Sequence, residues 1–234
     1  NDLTLEERET DPTFTMIRDA SHPDPPGQLV MAYAMIDDLG LRSGLSSIRI
    51  LPKANGRGVR AVASGGKVTR LKLTSDGVEF SWTATALPWV VPPEAQSGAD
   101  LLKLGHRASR EAVEIHALDP GKYAIEIDGV EIGQWTNVAL AKHIELQQND
   151  KTPQYQQALE VVMLNKKKNE GPVKQLRDSW RAFQGWARSK RQLEQSSSTD
   201  RDLPRKAAAA EKQLKSLEDS IREAESEARK IEDQ

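Results

Sequence analysis

The chain contains no cysteine. That excludes disulfide staples, a thiolate nucleophile and any zinc–thiolate centre, while leaving the compartment undecided. No apolar run approaches the roughly 18 residues that a membrane-spanning helix needs, and the first residues are polar rather than leader-like. Nor is there an excess of charge of one sign: 33 Lys and Arg stand against 35 Asp and Glu, a formal net charge of −2. Such a surface has no field for gathering nucleic acid or coating an anionic membrane, so neither is an expected partner. Histidine is scarce. The four present, His22, His106, His116 and His143, are far apart and show no His-x-x-x-His spacing, which gives a metal site no support. What is there is a chain of 234 residues, enough for one or two domains with real cores.

The densest chemistry lies in Arg18-Asp19-Ala20-Ser21-His22-Pro23-Asp24-Pro25-Pro26-Gly27. A carboxylate stands three residues before an imidazole, in a proline-stiffened loop that opens into an amphipathic helix. Pro23 fixes the backbone after His22, Pro25 and Pro26 delay the helix, and Gly27 lets the chain turn into it. In such a pair Asp19 orients the ring of His22 and stabilises its protonated form, so that the ring can take a proton from a hydroxyl. Two members of a hydrolytic triad are visible and a third is not. The bland alternative is a loop histidine that only hydrogen-bonds near a helix start.

These residues resemble the last conserved block of the SGNH (GDSL-type) hydrolases, Asp-x-x-His-Pro followed by a glycine and the closing helix of an α/β, flavodoxin-like domain. The resemblance implies catalytic roles for Asp19 and His22, a serine ester hydrolase acting by acyl transfer, and no metal or organic cofactor. By the same analogy the substrate is a small acyl ester, an acetylated carbohydrate being one candidate, and the setting is secreted or periplasmic. The family's serine comes from a Gly-Asp-Ser block near the start of its domain, with oxyanion donors from two middle blocks. None of these is in the sequence. No initiator Met opens it either, so it reads as the C-terminal portion of a longer protein, expected to be inactive without its N-terminal SGNH segment.

Residues 1 to 13 read as an acidic, helix-poor approach. In the helix after the loop, Leu29, Ala32, Tyr33, Ile36 and Leu39 form one apolar stripe, ended by Gly40 and expected to pack on a sheet encoded mostly upstream. From about Ser43 the period becomes two. Leu71 and Leu73, the turn Ser75-Asp76-Gly77, then Val78, Phe80 and Trp82 make a hairpin. Val113, Ile115 and Ala117, the turn Asp119-Pro120-Gly121, then Tyr123, Ile125 and Ile127, the turn Asp128-Gly129, then Val130 and Ile132 make a three-run meander. With shorter strands at Leu45–Leu51, Val59–Ala63 and Val68, an antiparallel sheet or sandwich of about six strands is expected. Between the hairpins, Leu87-Pro88-Trp89-Val90-Val91-Pro92-Pro93 is set to cover an open sheet edge or to lean on the catalytic domain. Trp82, Trp89 and Trp135 offer an aromatic platform for a sugar ring, with Trp82 and Trp89 the candidate substrate contacts; core packing is the commoner use of tryptophan in a small sandwich.

After Trp135 the helical period returns, with one face at Tyr155, Ala158, Leu159, Val162 and Met163 and another at Leu176, Trp180, Phe183 and Ala187, across a break at Gly171-Pro172. The run Asn165-Lys166-Lys167-Lys168-Asn169 suits a solvated helix end. Parts of this tail, from Leu118 to Tyr123, at Gln156-Gln157-Ala158 and at Arg177-Asp178-Ser179-Trp180, also resemble the long tails of some bacterial SGNH hydrolases. Beyond a polar linker, Leu203, Ala207, Ala210, Leu214, Leu217, Ile221, Ala224, Ala228 and Ile231 form a heptad seam. Its many alanines make it thin, which favours folding back within the chain over self-association through 203–234. The expected organisation is α+β: the end of an SGNH domain at 1–42, an antiparallel β domain at 43–136, a helical region at 137–195, a linker at 196–202 and a heptad-patterned helix at 203–234. The alternative to the hydrolase is a non-catalytic β-sandwich binding or assembly module with an oligomerising helical tail.

Overall fold

The computed structural model describes residues 2–41, 44–55, 57–116, 118–195 and 202–234. Expectations for the 42/43 boundary, for Ala117 and for the linker at 196–201 lie outside these residues. The fold is mixed α and β, with small sheets and a long C-terminal helix, and it forms two compact units, one running to Leu159 and the other Glu160–Gln234.

The first unit begins with α1 (Asp2–Thr10), a helix with no buried residue, where a loop was expected. Its run of Leu, Glu and Arg has good intrinsic helix propensity, and Asp11-Pro12 ends it. Next, α2 spans Pro25–Asp38 and starts three residues before Gln28, where the loop was expected to give way to helix. Pro25 and Pro26 occupy its first turn, where the missing N–H has no helical partner to lose and the fixed φ is already helical. Leu29 and Tyr33 face inward, as patterned. Leu39 does not: it is 67% exposed and lies on an outer stripe with Met31 and Met35.

The sheet departs from the antiparallel expectation. Strands β1 (Ser46–Pro52), β2 (Val59–Ser64), β5 (Glu111–Ile115) and β8 (Ile144–Glu145) form one sheet in the order β2-β1-β5-β8, in which β1 and β5 run parallel. A parallel pair needs a long crossover. It is supplied by β3 (Gly66–Leu73), β4 (Val78–Ala84) and a helical stretch that the sequence pattern missed: a 3-10 turn at Pro93–Ala95, α3 (Gln96–Leu102) and α4 (Leu104–Ala108). Lys103, at φ 48°, breaks α3 from α4. The meander also splits. β6 (Lys122–Ile127) and β7 (Val130–Thr136) pair only with each other, around the Asp128-Gly129 turn whose two positive φ values (50° and 81°) suit a two-residue hairpin. The run at Val113 joins the mixed sheet instead. Helix α5 (Asn137–Lys142) follows, capped by Thr136 Oγ1, which accepts from the Ala139 N–H at 3.2 Å.

Two clusters fill this unit. The larger gathers Ile48, Ile50, Val113, Ile115, Ile132, Leu140, Ile144 and Leu146 on one face of the mixed sheet, with both hairpins against it. Each fully buried aliphatic side chain there contributes roughly 1.5–3 kcal/mol. The smaller joins Leu29 and Tyr33 of α2 to Ala95, Ala99, Leu102 and Leu104, with Trp89 and Val91 packed on it. The apolar segment between the hairpins thus lies under α2. Gly98 makes the approach possible: a Cβ there would meet the Pro26 carbonyl oxygen at 2.6 Å.

Helix α6 (Pro153–Lys168) runs on into the second unit, where a π-helical segment, Asn169–Val173, absorbs Pro172 and leads into α7 (Lys174–Glu194), and α8 (Leu203–Glu232) packs back along α7. All the heptad positions except Ala207 are at least half-buried. On α7 the inward face is offset from the predicted one, because Ser179 and Trp186 face α8 while Trp180 is 46% exposed. Small Ser179 lets the helices approach until its hydroxyl sits 3.0 Å from that of Ser220. Trp186 Nε1 donates to the Ala210 carbonyl at 2.8 Å. Trp180 is left to stack edge-on against Phe183.

Candidate active site

The loop before α2 is pinned at its base. Met16, almost fully buried, accepts the Asp24 N–H at 2.8 Å, and Gly27 lies so close that a Cβ would come within 2.7 Å of the Met16 carbonyl oxygen. Asp24 closes the loop from the other side: its Oδ2 accepts the Arg18 N–H at 3.2 Å and lies 3.3 Å from Arg18 Nε. Gln28 Nε2 donates to the Pro23 carbonyl. Within this frame Ala20 takes a left-handed φ of 58°, which reverses the chain between Asp19 and His22.

The reversal brings the two sequence-predicted catalytic residues together. Asp19 Oδ1 accepts the N–H groups of Ser21 (2.9 Å) and His22 (2.6 Å), and its Oδ2 lies 2.7 Å from His22 Nδ1. The His22 N–H, its ring and the Ser21 N–H hold the Asp19 carboxyl below the usual carboxylate range. An ionised Asp19 accepts a hydrogen bond from Nδ1–H, which leaves Nε2 as the basic nitrogen. The ring itself is 83% exposed. The arrangement can hold an imidazole in one tautomer and present its other nitrogen to a proton donor.

The tryptophans are divided between the two clusters. Trp82 and Trp135 pack on the larger cluster, each with its ring against a glycine, Gly66 and Gly133 respectively. Trp89 packs on the smaller one, its backbone N–H donating to the buried Ser109 hydroxyl at 2.7 Å.

A second constellation was not foreseen. On the face of the mixed sheet opposite the larger cluster, Glu145 Oε1 lies 2.6 Å from His106 Nδ1 and 3.3 Å from His143 Nε2, while Oε2 accepts from Gln147 Nε2 at 2.7 Å. Burial works against the ionised Glu145, but the bonds from Gln147, His106 and His143 outweigh it and hold the carboxyl low. Further along, Glu114 bonds Arg49 (2.8 Å) and His116 (3.2 Å). The alternation His143-x-Glu145-x-Gln147 was the available signal; what hid it was that His106 arrives from α4, an element the pattern missed. Among the described residues no group of three or more ligating side chains has the geometry to hold a metal.

No family model and no curated protein matches the chain. Among solved structures, a gut microbial diltiazem-metabolizing enzyme is similar at a TM-score of 0.73 and 26% identity, over 98% of this chain and 56% of that one. The chain therefore spans little more than half the length of that enzyme.

Proposed function

We propose that this chain is the C-terminal part of an SGNH-type serine ester hydrolase, in which His22 is the general base and Asp19 its orienting acid. The observation that carries the proposal is the 2.7 Å contact between Asp19 Oδ2 and His22 Nδ1 on a braced loop, in a sequence block that resembles the family's last one. The outer stripe of α2 adds support. Met31, Met35 and Leu39 are more than half exposed immediately after the loop, an apolar face of the kind that further protein covers. The similar solved structure is that of an enzyme, a diltiazem-metabolizing one.

In this mechanism the serine lies outside the 234 residues. His22 Nε2 removes its proton, the alkoxide adds to the ester carbonyl, and the imidazolium returns the proton to the departing alcohol. Water then attacks the acyl-enzyme by the same route and releases the acid. Asp19 remains ionised throughout and stabilises the imidazolium. The substrate class is a small acyl ester, acetylated carbohydrates included.

The test needs a protein that contains both this chain and the serine-bearing segment. There His22→Ala lowers hydrolysis of an activated acetate ester by roughly three orders of magnitude or more, and Asp19→Asn lowers it through the wrong tautomer, with both variants folded. Wild-type turnover in His22→Ala removes the proposal.

A further inference from the structure

The near-balance of charge over the whole chain conceals one strongly basic helix. Helix α7 carries six Lys and Arg against two acids, Asp178 and Glu194. Lys190 is drawn aside, 3.9 Å from Glu194 and lying over the Trp186 ring. The other five, Lys174, Arg177, Arg181, Arg188 and Arg191, follow one another at three, four, seven and three residues. At helical pitch that keeps them within about 100° of the circumference along roughly 25 Å. Because Ser179 and Trp186 point at α8, the stripe faces away from it, and all five side chains are exposed. Asp178 is the acid beside the stripe, and it is shared by Lys174 (3.1 Å) and Arg181 (3.6 Å). Among the described residues Arg177, Arg188 and Arg191 have no carboxylate partner. The outer side of α8 shows the contrasting pattern of a solvated face: Lys215, Glu218, Asp219 and Arg222 mix their signs, and Arg222 lies 3.9 Å from Asp219.

We infer that the outer face of α7 docks on an anionic phospholipid surface. The charge fits, and the planar guanidinium fork suits phosphate oxygens. The shape also selects among polyanions. A convex helix offers no groove to hold a strand and no hollow for a small ligand, whereas long side chains along one side of it reach a common plane. Gln184 and Gly185 fill the gap between Arg181 and Arg188 without charge or bulk to hold that plane off. Trp180, 46% exposed and one turn from Arg177, brings an apolar ring with a polar N–H, the character that suits headgroup level. The apolar side of α7 is taken by α8, so the contact is electrostatic, shallow and weakened by salt. It belongs to the unit Glu160–Gln234 and stands whether or not the Asp19–His22 loop is catalytic.

The experiment is co-sedimentation of the full 234-residue protein with vesicles of phosphatidylcholine, pure or containing about 30% phosphatidylserine, at low salt. Each arginine at such a surface is worth about fivefold in partitioning, so four give half-binding near roughly 1 mM accessible lipid on the anionic vesicles. Pure phosphatidylcholine binds at least tenfold more weakly, and about 0.5 M NaCl releases the protein. The double variant Arg177→Gln, Arg188→Gln weakens binding roughly 25-fold with unchanged helix content by circular dichroism. Lys215→Gln with Arg222→Gln removes the same charge from the outer side of α8 and changes binding less than about twofold. Equal sedimentation with both kinds of vesicle, or equal weakening by the two double variants, overturns the inference. So does tighter binding of a single-stranded oligonucleotide than of the anionic vesicles at the same salt, lost in Arg177→Gln, Arg188→Gln, since the stripe would then read a strand rather than a surface.

Discussion

Replacing Gly27 by alanine tests how the Asp19–His22 loop is held. The new Cβ would stand 2.7 Å from the Met16 carbonyl oxygen and 3.1 Å from both Met16 Cβ and Pro23 Cβ. Two of these neighbours cannot yield cheaply. The Met16 carbonyl is backbone and already accepts the Asp24 N–H, and Pro23 is a ring directly after His22. Overpacking of this kind costs about 1–3 kcal/mol, which for a unit of this size lowers the melting temperature by roughly 2–12 °C. The same substitution at Gly185, inside α7 with nothing within 4 Å of the added atom, should do the opposite and stabilise by roughly 0.5–1 kcal/mol through helix propensity alone. Calorimetry on the two variants reads both signs, and histidine NMR reports whether the His22 ring leaves Asp19 in the first. A Gly27→Ala protein that melts at or above the wild-type temperature would falsify the account of the loop as braced by close packing.

Other outcomes follow from single contacts. Glu111 is buried on the apolar side of β5, and burial alone pushes its carboxyl up to about 7. Since its ordinary value is 4.5, folding favours the protonated form. Its contribution is intact below pH 4.5 and is lost as pH rises to about 7, by roughly 3 kcal/mol in all. Glu111→Gln should remove that slope, so the melting temperatures of variant and wild type should diverge between pH 5 and 8, with the variant higher at pH 8; parallel curves would contradict it. Trp186→Phe deletes the donor to the Ala210 carbonyl and should destabilise the α7–α8 pair by about 0.5–1.5 kcal/mol in a chemical melt, with unchanged helix content by circular dichroism.

Local signals carried much of the fold. The Asp128-Gly129 and Ser75-Asp76-Gly77 turns mark real hairpins, and the three- and four-residue spacing of Leu29, Tyr33, Leu214 and Leu217 marks real helices. Pairing between distant segments was not legible. Val113 and Ile115 alternate as well for a meander as for a strand beside Ile48 and Ile50, and the choice is made by the α3–α4 crossover. That crossover was obscured by Pro92-Pro93 and by helices too short to show a period. Asp19 and His22 were found because they stand only three positions apart. The contact of His106 with Glu145 spans 39 residues and two elements, and no short motif reports such a meeting.

At its centre the mixed sheet sorts its side chains by parity, with Ile48, Ile50, Val113, Ile115 and Ile144 to one side and Arg49, Glu114 and Glu145 to the other. A single inserted or deleted residue within Glu111–Ile115 would exchange the two sets, driving Glu114 into the hydrocarbon and turning Val113 toward the polar face. Length variation among evolutionary descendants of this sequence should therefore collect at the hairpin tips and be purged from β5.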